Sequence, residues 1–335
     1  MAITISKSSA LNDDLWKPTG QVINAVMQDA DNEKTEHDKL VKDIAVEKKS
    51  KKYAEKQTGM TSLSSFDVVP EGDNAPTDDM QETMPKLIIH KAFMKEVAMT
   101  KEMLDDGDID GMRTIARNLV LGYKRTRAEL ATNALVTEGS EFVIGPKKTK
   151  LDKTTGDGKS VFATDHKSVK SNVKVQSNVF TNAFGNDAAM LIRLANIGRN
   201  FLNDSGQVTG YGFNKIIIPG NCYKLEETIQ RIMKSSLLVG SDYNDVNTQK
   251  GKWTLIVDPL WQAAEGTEPY IIMSDEANKA YNGTVFYDRT PLDVKSAVNN
   301  HNRNLEYNGY GRMSCGFYNW RHVILGGASQ GTTLT

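Results

Sequence analysis

The sequence predicts an α+β chain built from several parts, some of which cannot bury themselves. Three observations predict this. A long helical pattern runs from Ile109 to Val136, short apolar runs alternate with helical patterns over 186–290, and the first hundred residues are rich in charge and proline but thin in apolar side chains. The chain has 335 residues, with 41 Lys and Arg against 42 Asp and Glu, a net charge of −1. That balance argues against a protein that works by neutralising phosphates, because such binding needs a surplus of cations facing the nucleic acid. No run of about 18 apolar residues occurs, so no transmembrane helix is expected. The start, MAITISKSSALNDDLW, has no apolar stretch behind a positive region, and no signal peptide is expected there. Two cysteines, Cys222 and Cys315, are too few for a disulfide framework and fit a reducing cytoplasm.

Residues 1–60 read as an arm. From Asp29 to Lys56 both charge signs are dense, and Leu40, Val41 and Ile44 give one narrow stripe, so a helix here can bury little. Residues 61–100 read as an extended hairpin. Phe66–Val69 and Leu87–Met99 supply the strands, the second with Leu87, Ile89, Phe93, Val97 and Met99 mostly on alternate positions. Between them, Pro70, Pro76 and Pro85 bound an acidic, apolar-poor loop tip. Such a hairpin is marginal alone and asks for a neighbour.

Met112, Ile115, Ala116, Leu119, Val120, Tyr123, Leu130, Ala131, Ala134 and Leu135 recur at three- and four-residue spacing, which predicts one continuous helix ending at Gly139. It spans roughly 40 Å. Ile115, Leu119 and Tyr123 are expected to be buried against the β segment around Phe317–Val323. Residues 145–178 carry turn residues and no clear element. A helix capped by Asn186 follows, with Met190, Leu191, Leu194, Ile197, Phe201 and Leu202 inward. Next come a strand at Lys215–Ile218, a helix from about Asn221, and strands at Trp253–Val257, Tyr270–Met273 and Thr284–Tyr287. Leu305–Leu325 alternates aromatic and polar residues and reads as a closing hairpin or strand pair.

The sequence carries no complete motif for chemistry. Asp106, Asp108, Asp110 and Gly111 open like a calcium loop, but its bidentate carboxylate position holds Arg117, so helix capping is the better reading. Gly158-Lys159-Ser160 lacks the earlier phosphate-loop glycine, which is Lys153, and reads as a turn. Gly309 and Gly311 sit between strand-like runs, with Ser314 where a third dinucleotide-loop glycine would stand. His37, His90, His166, His301 and His322 show no metal-site spacing, and no nucleophile elbow occurs. No cofactor or metal is expected. Lys48, Lys49, Lys51 and Lys52 could touch nucleic acid, but Glu47 and Glu55 border them, which favours a solvated arm or a subunit contact.

The order of arm, proline-bounded hairpin, long helix, α/β domain and returning β segment resembles the major capsid protein of tailed bacteriophages, the HK97-type shell fold. KLIIHKAFMKEVAMTKEMLDDGDIDGMRTIARNLVLGYKRTRAELATNAL looks like the return strand of the extended loop and the spine helix. FNKIIIPGNCYKLEETIQRIM looks like the first strand and helix of the axial domain. RNLEYNGYGRMSCGFYNWRHVIL is similar to the closing peripheral segment of Mu-like prophage head subunits. The resemblance implies an N-terminal arm (1–60), an extended loop (61–100), a peripheral domain with the spine helix (101–178 and 291–335) and an axial domain (179–290). It also implies a non-enzymatic subunit that joins copies of itself into hexamers and pentamers of a virion shell assembled in the host cytoplasm. That shell would enclose double-stranded DNA without sequence-specific contacts. Further implied partners are a portal, a scaffold or maturation protease and a decoration protein, with no membrane. Phe66, Val68, Leu87, Ile89, Phe93, Lys48 and Lys52 are the expected inter-subunit contacts. Residues 1–60 are expected to stay in the finished wall, with no pro-segment removed. An encapsulin-like compartment is the first alternative, and a soluble enzyme with an unrecognised site the second.

Overall fold

The computed structural model describes residues 3–5, 16–63, 65–78, 80–170, 172–237 and 246–334. In chain order the elements are β1 (Thr4–Ile5), α1 (Lys17–Asn32), α2 (Glu36–Ile44), β2 (Val46–Lys49), β3 (Ala54–Gln57), β4 (Lys86–Ile89) and β5 (Lys91–Met99). Next are α3 (Lys101–Asp105), α4 (Ile109–Val136), β6 (Glu141–Ile144), β7 (Thr149–Asp152), α5 (Ala189–Arg199), β8 (Lys215–Pro219), α6 (Tyr223–Lys234) and β9 (Thr254–Asp258). The chain ends with β10 (Tyr270–Met273), α7 (Asp275–Tyr281), β11 (Thr284–Val298), β12 (Leu305–Phe317) and β13 (Val323–Gly326). They divide into two compact units, one of Met1–Glu55, Ile88–Ala131 and Phe286–Cys315, the other of Lys56–Leu87, Thr132–Val285 and Gly316–Thr335.

The first unit is a sheet in the order β1-β11-β12-β5, with β2 also on β11. β5 runs antiparallel to β12, from Met99 opposite Leu305 to Lys91 opposite Met313. Helix α4 starts as its sequence demands: the Asp108 carboxylate accepts from the Gly111 N–H at 2.9 Å, so the acidic run caps the helix. Its inner stripe of Met112, Ala116, Leu119 and Val120 shares one core with Leu292, Val294, Leu305 and Tyr307. The spine helix therefore meets β11 and the start of β12, upstream of the expected Phe317–Val323. Ile115 and Tyr123 are half-buried rather than buried. Two glycines on β12 face the helix, and Gly311 is the one a side chain would crowd. A Cβ on Gly311 would lie 2.4 Å from the Tyr123 ring, and one on Gly309 would lie 3.5 Å from Leu119.

Residues 16–45 correct the expectation that this region buries little. Trp16, Ile23, Met27, Val41 and Ile44 are fully buried, and the first three join the α4 core. Helix α1 went unread because its inward stripe, Gly20, Ile23, Met27 and Ala30, is half small residues. Helix α2 is closed by a capping box between Thr35 and Asp38. Charge fastens the segment further. The buried Arg127 guanidinium on α4 donates to Asp38 (3.3 Å), Glu47 (2.7 Å) and Asp288 (3.0 Å) and lies 5.1 Å from the centre of the Phe286 ring. One turn earlier, Lys124 pairs with Asp38 at 3.1 Å and donates to the Asp31 carbonyl at 2.8 Å. Residues 1–2 and 6–15 of the expected arm lie outside the described residues.

The second unit is built on a sheet in the order β13-β10-β8-β9, with β8 parallel to β9 and antiparallel to β10. Every residue of β8 (KIIIP) and of β10 (YIIM) is buried, as strands covered on both faces require. Leu191 and Leu194 of α5 and Leu225, Ile229 and Ile232 of α6 fill the core against them. The expected cap at Asn186 is corrected: Ala188 stands at the N-cap of α5 with no side-chain cap, and Asp187 just before it accepts from the Ala189 N–H at 3.0 Å. The expected closing hairpin is also corrected: β12 pairs with β5 and β11, whereas β13 pairs with β10 in the other sheet.

Truncating Leu119, which is 6% exposed, to Ala should cost about 2–5 kcal/mol in denaturant unfolding. Replacing Arg127 with Met should cost about 3–5 kcal/mol, because three carboxylates would lose their shared cation. Limited proteolysis of that variant should open the chain first between residues 31 and 50.

Candidate assembly surface

β3 and β4 form a two-stranded ladder that continues through Gly59–Thr83 and ends at Thr61–Gln81. At its last rungs the Thr83 N–H donates to the Gly59 carbonyl at 2.7 Å and the Thr61 N–H to the Gln81 carbonyl at 2.8 Å. Thr83 Oγ1 accepts from the Gly59 N–H and Thr61 Oγ1 from the Gln81 N–H, so the two threonines double the ladder where it stops. Beyond it, every described residue from 62 to 82 is exposed. The expected first strand, Phe66–Val69, is thus corrected: the outgoing strand is Ala54–Gln57, and Phe66 and Val68 belong to the irregular stretch at 101% and 99% exposure. Prolines 70, 76 and 85 and a turn closed from Asp73 N–H to the Pro70 carbonyl explain why no ladder forms there.

The return strand is split. β4 points Lys86 and Ile88 inward, leaving Leu87 and Ile89 51% and 38% exposed, while β5 leaves the ladder to join β12. Leu87, Ile89, Phe66 and Val68 are therefore apolar side chains without an adequate core, whereas Phe93 is half-buried on β5. Lys48 is half-buried on β2, and Lys52 is exposed and pairs with Glu55 at 3.7 Å.

Buried polar groups hold both ends of this segment. Lys86 donates to Asp152 and to Thr154 Oγ1. Burial raises the Asp152 pKa, but the Lys86 and Thr154 hydrogen bonds outweigh it and leave the carboxyl below its ordinary value. Where β4 gives way to β5, His90 lies between two hydroxyls, with Nδ1 2.8 Å from Ser314 Oγ and Nε2 3.0 Å from Ser50 Oγ. Ser50 donates onward to Glu55 at 2.7 Å, so it accepts from Nε2–H, and Ser314 donates to Nδ1. Burial holds the His90 pKa below its ordinary value, so this is a neutral linkage. Sequence spacing had no means of finding it, since its members are residues 50, 55, 90 and 314.

Among the described residues, no His, Cys, Asp and Glu side chains group in threes around a metal position. A cleft of about 270 Å³ in the second unit touches Met60, Met84, Asp157, Asp204, Tyr281 and Arg321. Three of its charged or ionisable groups are engaged with one another or with neighbours: Arg321 donates to Asp204 at 3.0 Å, and Asp157 accepts from Thr155 and faces His166 at 2.7 Å. Both His166 ring nitrogens are engaged, by Asp157 and Asn178, and the ring stacks on Trp320. The Gly158–Ser160 stretch is a turn, with the Thr155 N–H donating to the Lys159 carbonyl. Lys153, where the phosphate-loop glycine is missing, is wholly buried and donates to the Leu135 and Thr137 carbonyls at the end of α4. Burial pushes its pKa down to about 7.

His322 supplies a pH test. It is fully buried, with Nε2 2.7 Å from Thr284 Oγ1 and its ring over Gly283, and burial pushes its pKa down to about 3. The unfolded chain takes up this proton near pH 6.5, before the folded chain does. The group's contribution is therefore intact above about pH 6.5 and is lost as pH falls toward 3. Urea midpoints should decline over that window, and His322→Asn should make the decline shallower.

No family model and no curated protein sequence matches the chain. Solved structures do. The capsid of a native GTA particle aligns over 88% of this chain and 90% of its own, at 13% identity and a TM-score of 0.54. A chain from Mycobacterium phage Patience aligns over 99% and 95% at 11% identity and a TM-score of 0.51. A chain from Gordonia phage Cozz aligns over 88% and 86% at 8% identity and a TM-score of 0.51. At such identities the likeness is one of architecture, and it extends along nearly the whole chain. An α+β chain with an extended two-stranded loop, a 28-residue spine helix and a separate α/β core has the HK97-like capsid fold.

Proposed function

We propose that this chain is the major shell subunit of a tailed-phage or prophage head, assembling as hexamers and pentamers into a closed wall around double-stranded DNA. One observation carries the reading: in a chain with a capsid fold, residues 62–82 extend with every described side chain exposed, Phe66 and Val68 completely. Burying one such side chain contributes about 1.5–3 kcal/mol. A loop that leaves several of them in water gains that free energy only from another molecule, and copies of the same chain are the supply that shell building provides. The near-zero net charge suits a wall that encloses a polyanion without gripping it. A portal, a scaffold or maturation protease and a decoration protein are the partners such a wall takes, with the virion as its location. The closing segment RNLEYNGYGRMSCGFYNWRHVIL supports a Mu-like subtype.

Negative-stain microscopy of the expressed chain tests this. Closed megadalton particles are expected, with DNA and a portal vertex in those from infected or induced cells. Small oligomers alone would contradict the reading, and particles filled with an enzyme cargo would move it to a cellular compartment. Leu87→Asp with Ile89→Asp should give a folded, soluble subunit that fails to close shells, since both side chains already face outward. Normal particles from that double variant would overturn the role given to the loop.

A further inference from the structure

Residues 57–85 contain six acids, Asp67, Glu71, Asp73, Asp78, Asp79 and Glu82, and no Lys, Arg or His. That is −6 in a chain whose total is −1, so everything outside the loop carries +5. The charge is segregated, and its complement is concentrated too. Lys48, Lys49, Lys51, Lys52 and Lys56 fall within nine residues that hold one acid, Glu55.

The fold gathers part of that run with cations from elsewhere in the first unit. Tyr53 is 65% exposed, and the Arg312 guanidinium lies 5.3 Å from the centre of its ring. The Tyr53 carbonyl accepts from the His90 N–H at 3.3 Å, and Arg312 reaches the His90 carbonyl at 3.5 Å, which brings Lys91 beside them. Lys49, Lys51, Lys52 and Lys91 are all exposed, Lys52 with Glu55 at 3.7 Å beside it. The result is a basic patch around an outward-facing aromatic ring.

Resting on the shell reading, we infer that this patch, Lys49–Tyr53 with Lys91 and Arg312, receives the acidic loop of a second copy, Asp67, Glu71 and Asp73 meeting the lysines and Phe66 lying against Tyr53. A cationic patch with an exposed ring also suits a nucleic-acid strand. Two observations favour the loop. The chain carries the complement itself, one acidic segment for each patch, and that segment presents a fully exposed aromatic side chain beside its first acid. Patch and loop are different surfaces, so the contact is head-to-tail and repeats around a ring. Single exposed ion pairs are weak, so the specificity lies in the number of pairs and in the apolar anchor among them.

Charge exchange tests this on the full chain. Lys49→Glu, Lys51→Glu and Lys91→Glu together should lower particle yield about tenfold or more, as should Asp67→Lys, Glu71→Lys and Asp73→Lys together. All six residues are exposed, so thermal midpoints of the subunits should stay at the wild-type value. Placing all six changes in one chain should restore particles, and 1 M salt, where the screening length is about 3 Å, should suppress wild-type assembly. The inference is overturned if wild-type shells form and both triple variants also assemble normally, or if the combined variant stays as poor as either parent. It is overturned in favour of nucleic acid if the lysine variant assembles normally but loses a mobility shift with double-stranded DNA. Absence of particles from the wild-type chain would instead remove the shell reading beneath it.

Discussion

The close approach of α4 to β12 is the contact on which the first unit depends. Tyr123 occupies the space that a Cβ at Gly311 would take, and Leu119 lies beside Gly309. A side chain at Gly311 would displace the Tyr123 ring, whereas at Gly309 a Cβ would meet Leu119 at ordinary contact distance, so Gly311 is the strand position that lets this part of the helix lie close to the sheet. Everything else in this unit builds on the same helix. The core formed by Met112, Ala116 and Val120 accepts Trp16, Ile23 and Met27 from the N-terminal segment. On another face of α4, Lys124 and Arg127 gather Asp38, Glu47 and Asp288.

Asp288 shows what that cluster does and does not contribute. Its burial, with Glu47 nearby, raises its pKa despite the Arg127 guanidinium. Arg127 Nε and Asp288 Oδ1 have no hydrogen-bond partner in the structure. Such a cluster is costly to break and modest in net stabilisation, and its value lies in fixing where residues 31–47 lie on the helix. Hydrophobic contact holds the segment and charge sets its register. The described residues from 62 to 82 are all exposed, which makes this the part of the chain that gains most from a neighbour.

Much of this was legible from residues alone. The spine helix was readable to its ends, because ten apolar positions in register and an Asp cap leave no competing pattern. Lys215–Ile218 and Tyr270–Met273 were readable as strands, since unbroken short β-branched or aromatic runs mean burial on both faces. Leu87 and Ile89 were read as the apolar face of a half-buried strand, and in the structure they face outward at 51% and 38% exposure; the pairing strand was placed a loop too late. Phe66–Val69 has strand composition, and the prolines around it and the threonine-doubled ladder ending at Thr61–Gln81 override that composition. Helix α1 was missed because two of its four buried positions are Gly20 and Ala30, which give little apolar signal. The Arg127 cluster and the Ser50–His90–Ser314 linkage join residues far apart in sequence, and only the fold brings them together.

The central claim is that residues 62–82 have no stable packing within their own chain and gain it from a neighbouring copy. Hydrogen exchange read separately on free subunits and on assembled particles addresses this most directly. The account predicts fast exchange throughout 62–82 in the free subunit, protection from Thr83 through Ile89 in both states, and new protection around Phe66–Asp73 only in particles. Equal protection of 62–82 in free subunits and in particles, or none in either, would contradict it.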